Sequence, residues 1–493
     1  MDTVKGKKIG FDNDKYIRIQ SENIKERIAQ FSGKLYLELG GKLFDDHHAS
    51  RVLPGFQPDS KLRMFQKISD QIEIVIVISA EDIEKNKVRA DLGITYDEDV
   101  LRLREEFRNR GFFVGSVVIT HYNGQHAADA FRQRLKRMDI KSYVHYLIDG
   151  YPHNVELIAS DEGFGKNDYV ETERPLVIVT APGPGSGKMA VCLSQLYNEH
   201  KHGVEAGYAK FETFPVWNLP LKHPVNIAYE AATADLNDVN MIDPFHLEAY
   251  NKIAVNYNRD IEIFPVLNAL FEGIYGTNPY KSPTDMGVNM VGFCISDDQV
   301  CCEASKDEII RRYYDATNKF ANGADNESEV QKIQMLFNQA KISTATRKVT
   351  TVAKKRREET GTPCAAIELA DGTMITSKSS ELLGPSAALL LNATKYLAGI
   401  DHNVKLIPQE MIEPIQKTKV EYLGGNNPRL HTDEVLVALS VLSQADDNCR
   451  KALEQLPALR GCQVHSTVML SEVDHKIFKK LGVGLTCDPV KKK

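Results

Sequence analysis

The 493-residue chain is 42% hydrophobic and 26% charged, with a formal net charge of −6 at pH 7. These proportions are ordinary for a globular protein of roughly two to four domains, and the acidic balance offers no general attraction to nucleic acid or to an anionic membrane. No run of about 18 apolar residues marks a membrane span, so neither partner is expected. The opening segment MDTVKGKKIGFDNDKY has no apolar core of a secretory signal. Eight cysteines are scattered without CxxC spacing, as expected of reduced thiols in a cytoplasmic protein.

In chain order, Lys34–Leu39 predicts a short strand ending at Gly40-Gly41-Lys42. Ile72–Ser79 and Phe112–Thr120 predict two more apolar strands, with amphipathic helices over Glu98–Arg108 and Ala127–Met138. Tyr143–Ile148, Val155–Ala159 and Leu176–Thr180 continue the strand pattern, and strand–helix alternation at this spacing predicts a parallel sheet. After a helix from Met189 and a strand at Tyr208–Thr213, the segment FPVWNLPLKHPVN, Phe214–Asn226, predicts an ordered irregular loop covering part of a site. Ile227–Ala234 predicts a helix start, and Ile261–Leu267 another buried strand. Lys306–Thr360 is helix-rich. Cys364–Thr376 predicts a hairpin around Asp371-Gly372, followed by helices at Ser386–Leu397 and Asp433–Leu456 and a closing strand, helix and strand over Gln463–Thr486. The expected fold is α/β. A Rossmann-like parallel sheet with a P-loop-like strand, loop and helix fills residues 1–335, and a helical linker with a smaller carboxy-terminal α/β domain fills 336–493.

The chemistry centres on APGPGSGK, Ala181–Lys188, between a buried strand and an amphipathic helix. Unsatisfied N–H groups and the dipole at a helix amino end favour an anion there, so Gly183, Gly185, Ser186, Gly187 and Lys188 are expected to hold phosphate. A Walker A loop has glycine where this chain has Pro182, and a magnesium-binding hydroxyl where it has Met189. The loop therefore supports phosphate binding better than ordinary P-loop ATPase chemistry.

A second glycine turn, Gly40, Gly41 and Lys42, precedes Asp45, Asp46, His47, His48 and Arg51. Arg51 offers a phosphate clamp; adjacent histidines point apart and do not suit one metal together, but His47 or His48 with Asp45 or Asp46 could hold one. In the acidic stretch Asp235–His246, Asp243 and the preceding Glu230 are candidate ligands for Mg or Mn, and His246 an acid or base. Asn258-Arg259-Asp260 is a weaker candidate of the same kind. Cys462 and His465 lie three apart and would take opposite faces of a strand, which disfavours a thiol–imidazole nucleophile. The basic run Lys354–Arg357 is followed by two glutamates and reads as a solvated helix face. HExxH, GxSxG, HRD and DFG are absent.

The runs YLELGGKLFDDHHASRVLPGF, RPLVIVTAPGPGSGKMA, FPVWNLPLKHPVN, DVNMIDPFHLEAY, YNRDIEIFPVL and GGNNPRLHTDEVLVALS resemble a bacterial family of uncharacterised function over nearly the whole chain. The resemblance implies a cytoplasmic homo-oligomer with a Rossmann-like amino-terminal part and a separate carboxy-terminal domain. TAPGPGSGKMA looks like the family's own loop, so Pro182 and Met189 belong to its design. Some members carry the label ATP-dependent zinc protease, which the absence of HExxH does not support.

Three functions are expected in descending order. The first is an enzyme binding a nucleotide or other phosphorylated small molecule for metal-assisted phosphoryl transfer or hydrolysis, with Lys188, Asp243 and His246 as catalytic groups. The second is a non-catalytic phospholigand sensor or assembly protein. The third is a nicotinamide-dependent oxidoreductase, with Glu199, Glu205 or Glu212 on a ribose.

Overall fold

The apolar strand Leu176–Thr180 lies inside a six-stranded sheet of order Ser142–Tyr146, Phe113–Tyr122, Ile72–Ser79, Leu176–Thr180, Leu35–Leu39 and Gly207–Phe211. All five pairings are parallel. A computed structural model of the chain describes residues 8–40, 43, 46–89 and 92–490, so the site candidates Gly41, Lys42 and Asp45 lie outside the described residues.

Parallel strands need crossover connections, and those connections cover both faces. Every residue of Leu35–Leu39, Ile72–Ser79 and Leu176–Thr180 is accordingly buried. One face presents Tyr36, Val75, Val77, Val177, Val179 and Tyr208 to the helices Lys188–Lys201 and Asn258–Tyr275. The other carries Ile74, Ile76 and Ile178, with helix Tyr96–Asn109 packed on the strands Ile72–Ser79 and Phe113–Tyr122. Each such side chain contributes about 1.5–3 kcal/mol by leaving water, which is why continuous Val/Ile runs settle here.

The connection leaving Ile72–Ser79 runs outward to its neighbour Phe113–Tyr122. The one leaving Leu176–Thr180 runs the opposite way, past Leu35–Leu39, to Gly207–Phe211. Adjacent strands whose connections diverge leave a crevice at their carboxyl ends, where open α/β sheets bind ligands. The glycine loop opens at that crevice.

Two expected strands are helical. Val155–Ala159 forms the short helix Val155–Ile158, and Ile261–Leu267 lies inside the helix Asn258–Tyr275. Ile261, Phe264, Leu267, Leu270, Phe271 and Ile274 are its buried stripe, a spacing of three to four that a seven-residue apolar window conceals. The expected helix Asp433–Leu456 is broken, because Asp446 accepts from the N–H groups of Asn448 and Cys449 and starts a new helix, Asp447–Leu453.

The chain divides into two compact units. One is Gly10–Tyr229 with Asp238–Cys301, which holds the six-stranded sheet; the other comprises the described parts of Met1–Ile9 and Cys302–Lys493, with Glu230–Asn237. In the latter, the strands Met374–Lys378, Cys364–Glu368, Gln463–Ser466 and Gly484–Cys487 form a smaller mixed sheet in that order. Ala365 and Ile367 face a core that includes helix Pro385–Leu397, and Ala366 faces Val349 and Ala353 of helix Lys348–Thr360.

The fully buried Arg347 pins that second helix to the sheet. It donates to the carbonyls of Val464 (3.1 Å) and Gly484 (2.9 Å), to Gln463 Oε1 (2.7 Å) and to Thr486 Oγ1. Replacing it with methionine keeps the bulk and strands four acceptors, two of them buried, so Arg347→Met is expected to lower unfolding free energy by about 3 kcal/mol in a denaturant titration.

Candidate functional site

Gly187, at φ 81°, is the left-handed N-cap of the helix Lys188–Lys201, and Gly185 takes φ 75°. Such angles suit glycine alone among common residues at little cost. At Gly183 the constraint is contact, because a Cβ there would meet the Tyr96 hydroxyl at 2.2 Å. Ser186 donates to the Gly183 carbonyl at 2.7 Å, and Thr120 Oγ1 donates to the Ser186 carbonyl at 2.7 Å. The loop is thus tied to itself and to the end of Phe113–Tyr122, beyond the intervening strand Ile72–Ser79.

No side chain caps the first turn of the Lys188–Lys201 helix. Lys188 is half-buried and, among the described residues, forms no ion pair. Met189 packs against the sheet core, so the position of a Walker hydroxyl serves packing here. Beside the loop, Ser79 Oγ and His121 Nδ1 lie 3.1 Å apart at the carboxyl ends of adjacent strands. His121 has φ 50°, an uncommon angle for a residue with a Cβ and one that local sequence does not announce.

Further along the same edge is a charged cluster. Lys210 donates to both Asp260 oxygens, at 2.7 and 2.8 Å, lies 3.2 Å from Glu212 and also donates to the Tyr257 hydroxyl. Tyr257 in turn donates to Glu212 at 3.2 Å, and Tyr208 to Glu38 at 2.6 Å. Burial pushes the Glu212 carboxyl up to about 7, with Lys210 pulling it down and Asp260 and Glu38 pushing it further up. Burial opposes the Lys210 charge, but Asp260, Glu212 and Glu38 outweigh it and hold the ammonium above its ordinary value. Glu212 and Asp260 carried weak sequence signals; Lys210 and Tyr257 carried none, since only the parallel register places Lys210 beside Glu38.

The remaining candidates are placed as follows. Asp243 is fully buried and caps the helix Pro244–Tyr250, accepting from His246 N–H (3.0 Å), Thr284 N–H (3.2 Å) and Thr284 Oγ1 (2.6 Å). Both its oxygens are engaged within the fold. His246 Nδ1 meets Ser282 Oγ at 3.0 Å, and its ring stands against Tyr250 and Trp217. Glu230 is buried and belongs to the carboxy-terminal unit, whereas Asp243 belongs to the other.

Asp46 caps the helix His47–Val52 through Ala49 N–H and pairs with the buried Lys61 at 2.9 Å. Burial raises its carboxyl, and Lys61, the Ala49 N–H and His48 together more than reverse the effect. His48 stands edge-on to Phe214, His47 is exposed, and Arg51 is half-buried in the same short helix. Gly40 closes its strand by donating to the Phe211 carbonyl at 2.9 Å.

In the carboxy-terminal unit Cys462 lies in the apolar core while His465 bonds Thr486 Oγ1 at 2.9 Å, so no thiol–imidazole pair forms between them. Ser471 and Asp474 both meet the same nitrogen of His431, at 3.2 and 3.1 Å, a helix-capping arrangement and not a proton relay. The basic run is paired within the fold through Lys354–Asp488 and Arg356–Glu359.

Sheet, loop and capped helices define a mixed α/β protein with a Rossmann-like parallel sheet and a smaller carboxy-terminal sheet domain. The chain belongs to the family described as domain of unknown function DUF1846, whose N-terminal model matches residues 9–341 and whose C-terminal model matches 345–493. It is 58% identical to a UPF0371 protein of Corynebacterium urealyticum over 98% of this chain and 97% of that one. It is 56% identical to a UPF0371 protein of Streptococcus uberis over 98% of each, and 55% identical to one of Streptococcus pneumoniae over the same shares. No helix among the described residues is long and apolar enough to cross a membrane.

Asp243→Ala is expected to cost about 1–3 kcal/mol in thermal or denaturant unfolding, because it removes a helix cap and leaves the Thr284 donors without an acceptor.

Proposed function

We propose that the loop Ala181–Lys188 binds the phosphate of a nucleotide or other phosphorylated small molecule, and that the protein transfers or hydrolyses a phosphoryl group. The observation that carries this reading is the placement, at the divergence of the sheet connections, of a helix amino end without a side-chain cap and of a lysine without an ion-pair partner among the described residues. Backbone amides and Lys188 would hold phosphate and stabilise charge developing on it. The Mg or Mn ion would arrive on the phosphate itself, since Met189 offers no hydroxyl and Asp243 is fully hydrogen-bonded.

A second reading, a phospholigand sensor without turnover, draws on the same absence of a dedicated cation ligand beside the loop among the described residues. The oxidoreductase reading is weaker. Glu212 follows the next strand in sequence, but Leu35–Leu39 intervenes between that strand and the one feeding the loop. A dinucleotide ribose is held from the adjacent strand.

Self-association belongs to the same proposal. Tyr422, Leu423, Val437 and Val441 expose apolar side chains on the carboxy-terminal unit. Light scattering of the purified protein reports it directly.

Purified protein should bind phosphate esters or nucleotides in a calorimeter in the presence of Mg²⁺ or Mn²⁺. Lys188→Ala should weaken that binding about 10- to 100-fold, the value of a charged hydrogen bond. Wild type and variant that behave alike would remove the assignment. Tight binding with no product formed selects the sensor.

A further inference from the structure

The glycine loop leaves strand Leu176–Thr180 and is bonded, through the Ser186 carbonyl, to Thr120 near the end of Phe113–Tyr122. Ile72–Ser79 is the strand between those two, so the loop passes across its carboxyl end. The residue at that end is Ser79, paired in register with Thr120 and only 3% exposed. Alternation along the strands sets Ser79 and Thr120 on the face of Val75, Val77 and Val118, the face that helix Lys188–Lys201 covers. Thr120 abuts the start of that helix, because a Cβ on Gly187 would lie 3.1 Å from its Oγ1.

His121 comes next, and unbroken alternation would turn it to the opposite face. At φ 50° it is instead held against Ser79, and Gln125 Nε2 donates to its carbonyl at 3.0 Å and fixes the turn. Ser79 Oγ has two lone pairs. One accepts from Glu81 N–H at 3.2 Å, and the other faces His121 Nδ1 at 3.1 Å. An Nδ1–H donated there leaves Nε2 as the ring atom that loses and regains a proton. The ring is half-buried, and among the described residues its Nε2 has no hydrogen-bond partner within the fold.

The charged groups nearby are occupied with one another, apart from Lys188 at the start of its helix. Glu81 pairs with Lys85 at 3.1 Å, and Lys85, with a smaller contribution from His121, holds its carboxyl below the ordinary value. Lys87 lies 4.9 Å over the Tyr96 ring and pairs with Asp82 at 3.1 Å, while Glu84 accepts from Ala127 N–H at 3.2 Å. Among the described residues no carboxylate bonds the imidazole, which leaves it for an anion on the loop.

We propose that His121 is the general acid of the phosphate site and that the substrate is a phosphate monoester of an alcohol. This rests on the phosphate reading of the glycine loop. A diphosphate departs without a proton and an alkoxide does not, so an acid beside the loop serves an ester of an alcohol. A phosphate dianion on the loop favours the protonated ring next to it, which makes His121 a donor and not a base. In the step, the oxygen of a water molecule bonds to phosphorus. The ester P–O bond breaks with its electron pair going to the alcohol oxygen, and that oxygen takes the proton from His121 Nε2. Inorganic phosphate leaves with both hydrogens of the water, and one of them returns through solvent to Nε2. Ser79 is a positioning residue, keeping Nδ1 occupied and Nε2 toward the loop.

In full-length protein with ¹⁵N-labelled histidine, the His121 signal is assigned through His121→Asn, since asparagine tolerates the left-handed angle. Saturating inorganic sulfate, a dianion that does not titrate near neutrality, should raise the His121 midpoint by about one pH unit. Lys188→Ala at the same sulfate concentration should abolish the rise. Glycerol 2-phosphate has a leaving oxygen that needs a proton and p-nitrophenyl phosphate has one that does not, which separates an acid from a merely structural residue. His121→Asn should lower kcat about 100-fold on the first and less than about threefold on the second, with KM little changed. Ser79→Ala should lower kcat on glycerol 2-phosphate about 10-fold and move the ¹⁵N shifts of both ring nitrogens of His121.

Equal losses on the two esters overturn the proposal. So does a His121 midpoint indifferent to sulfate that binds, or hydrolysis of neither ester by protein that binds sulfate. A protein that binds neither sulfate nor nucleotide instead removes the phosphate reading, and the acid role falls with it.

Discussion

The structure depends on one constraint, the burial of Leu176–Thr180 between two parallel neighbours with both faces covered. A strand so placed cannot expose its backbone, and its side chains must all be apolar or paired. The chain leaving it has one exit, at the carboxyl edge, and must turn within a few residues to send Lys188–Lys201 back across the sheet. Glycines at φ 75° and 81° make that turn, and the turn leaves amide groups at a helix amino end facing the edge. The chemical character of the loop is thus a by-product of how the core is closed.

Much of this was legible in the sequence. Ile72–Ser79 and Leu176–Thr180 begin and end where their apolar runs do, because a doubly covered strand has no polar face to blur the pattern. Ile261–Leu267 was misleading for the converse reason, since a buried helix shows the same density of apolar residues over seven positions and Pro265 within it suggests a break. The glycine loop could be found from local order alone. The Lys210, Glu212, Asp260 and Tyr257 cluster could not, because its members come from separate segments whose proximity is set by strand order.

Two acids, one buried and one half-buried, show how surroundings decide a side chain's role. Asp243 receives three hydrogen bonds from groups that have no other purpose than to hold a helix start and a neighbouring turn. Both its oxygens are taken up by neutral donors. Glu212 shares one lysine with Asp260 and one tyrosine with that same lysine, so two carboxylates compete for a single full positive charge. A carboxylate that competes with its neighbour for one cation retains a reason to take up a proton.

The segment Glu230–Asn237 is grouped with the carboxy-terminal residues although the chain on either side of it belongs to the other unit, and its short turn Ala234–Leu236 packs on helix Glu327–Ala340. The two family models meet between residues 341 and 345, a place that divides the sequence but not this arrangement. No single scission yields two self-sufficient halves. A cut between the two family models would leave Glu230–Asn237 on the amino-terminal fragment, parted from most of the residues with which it is grouped.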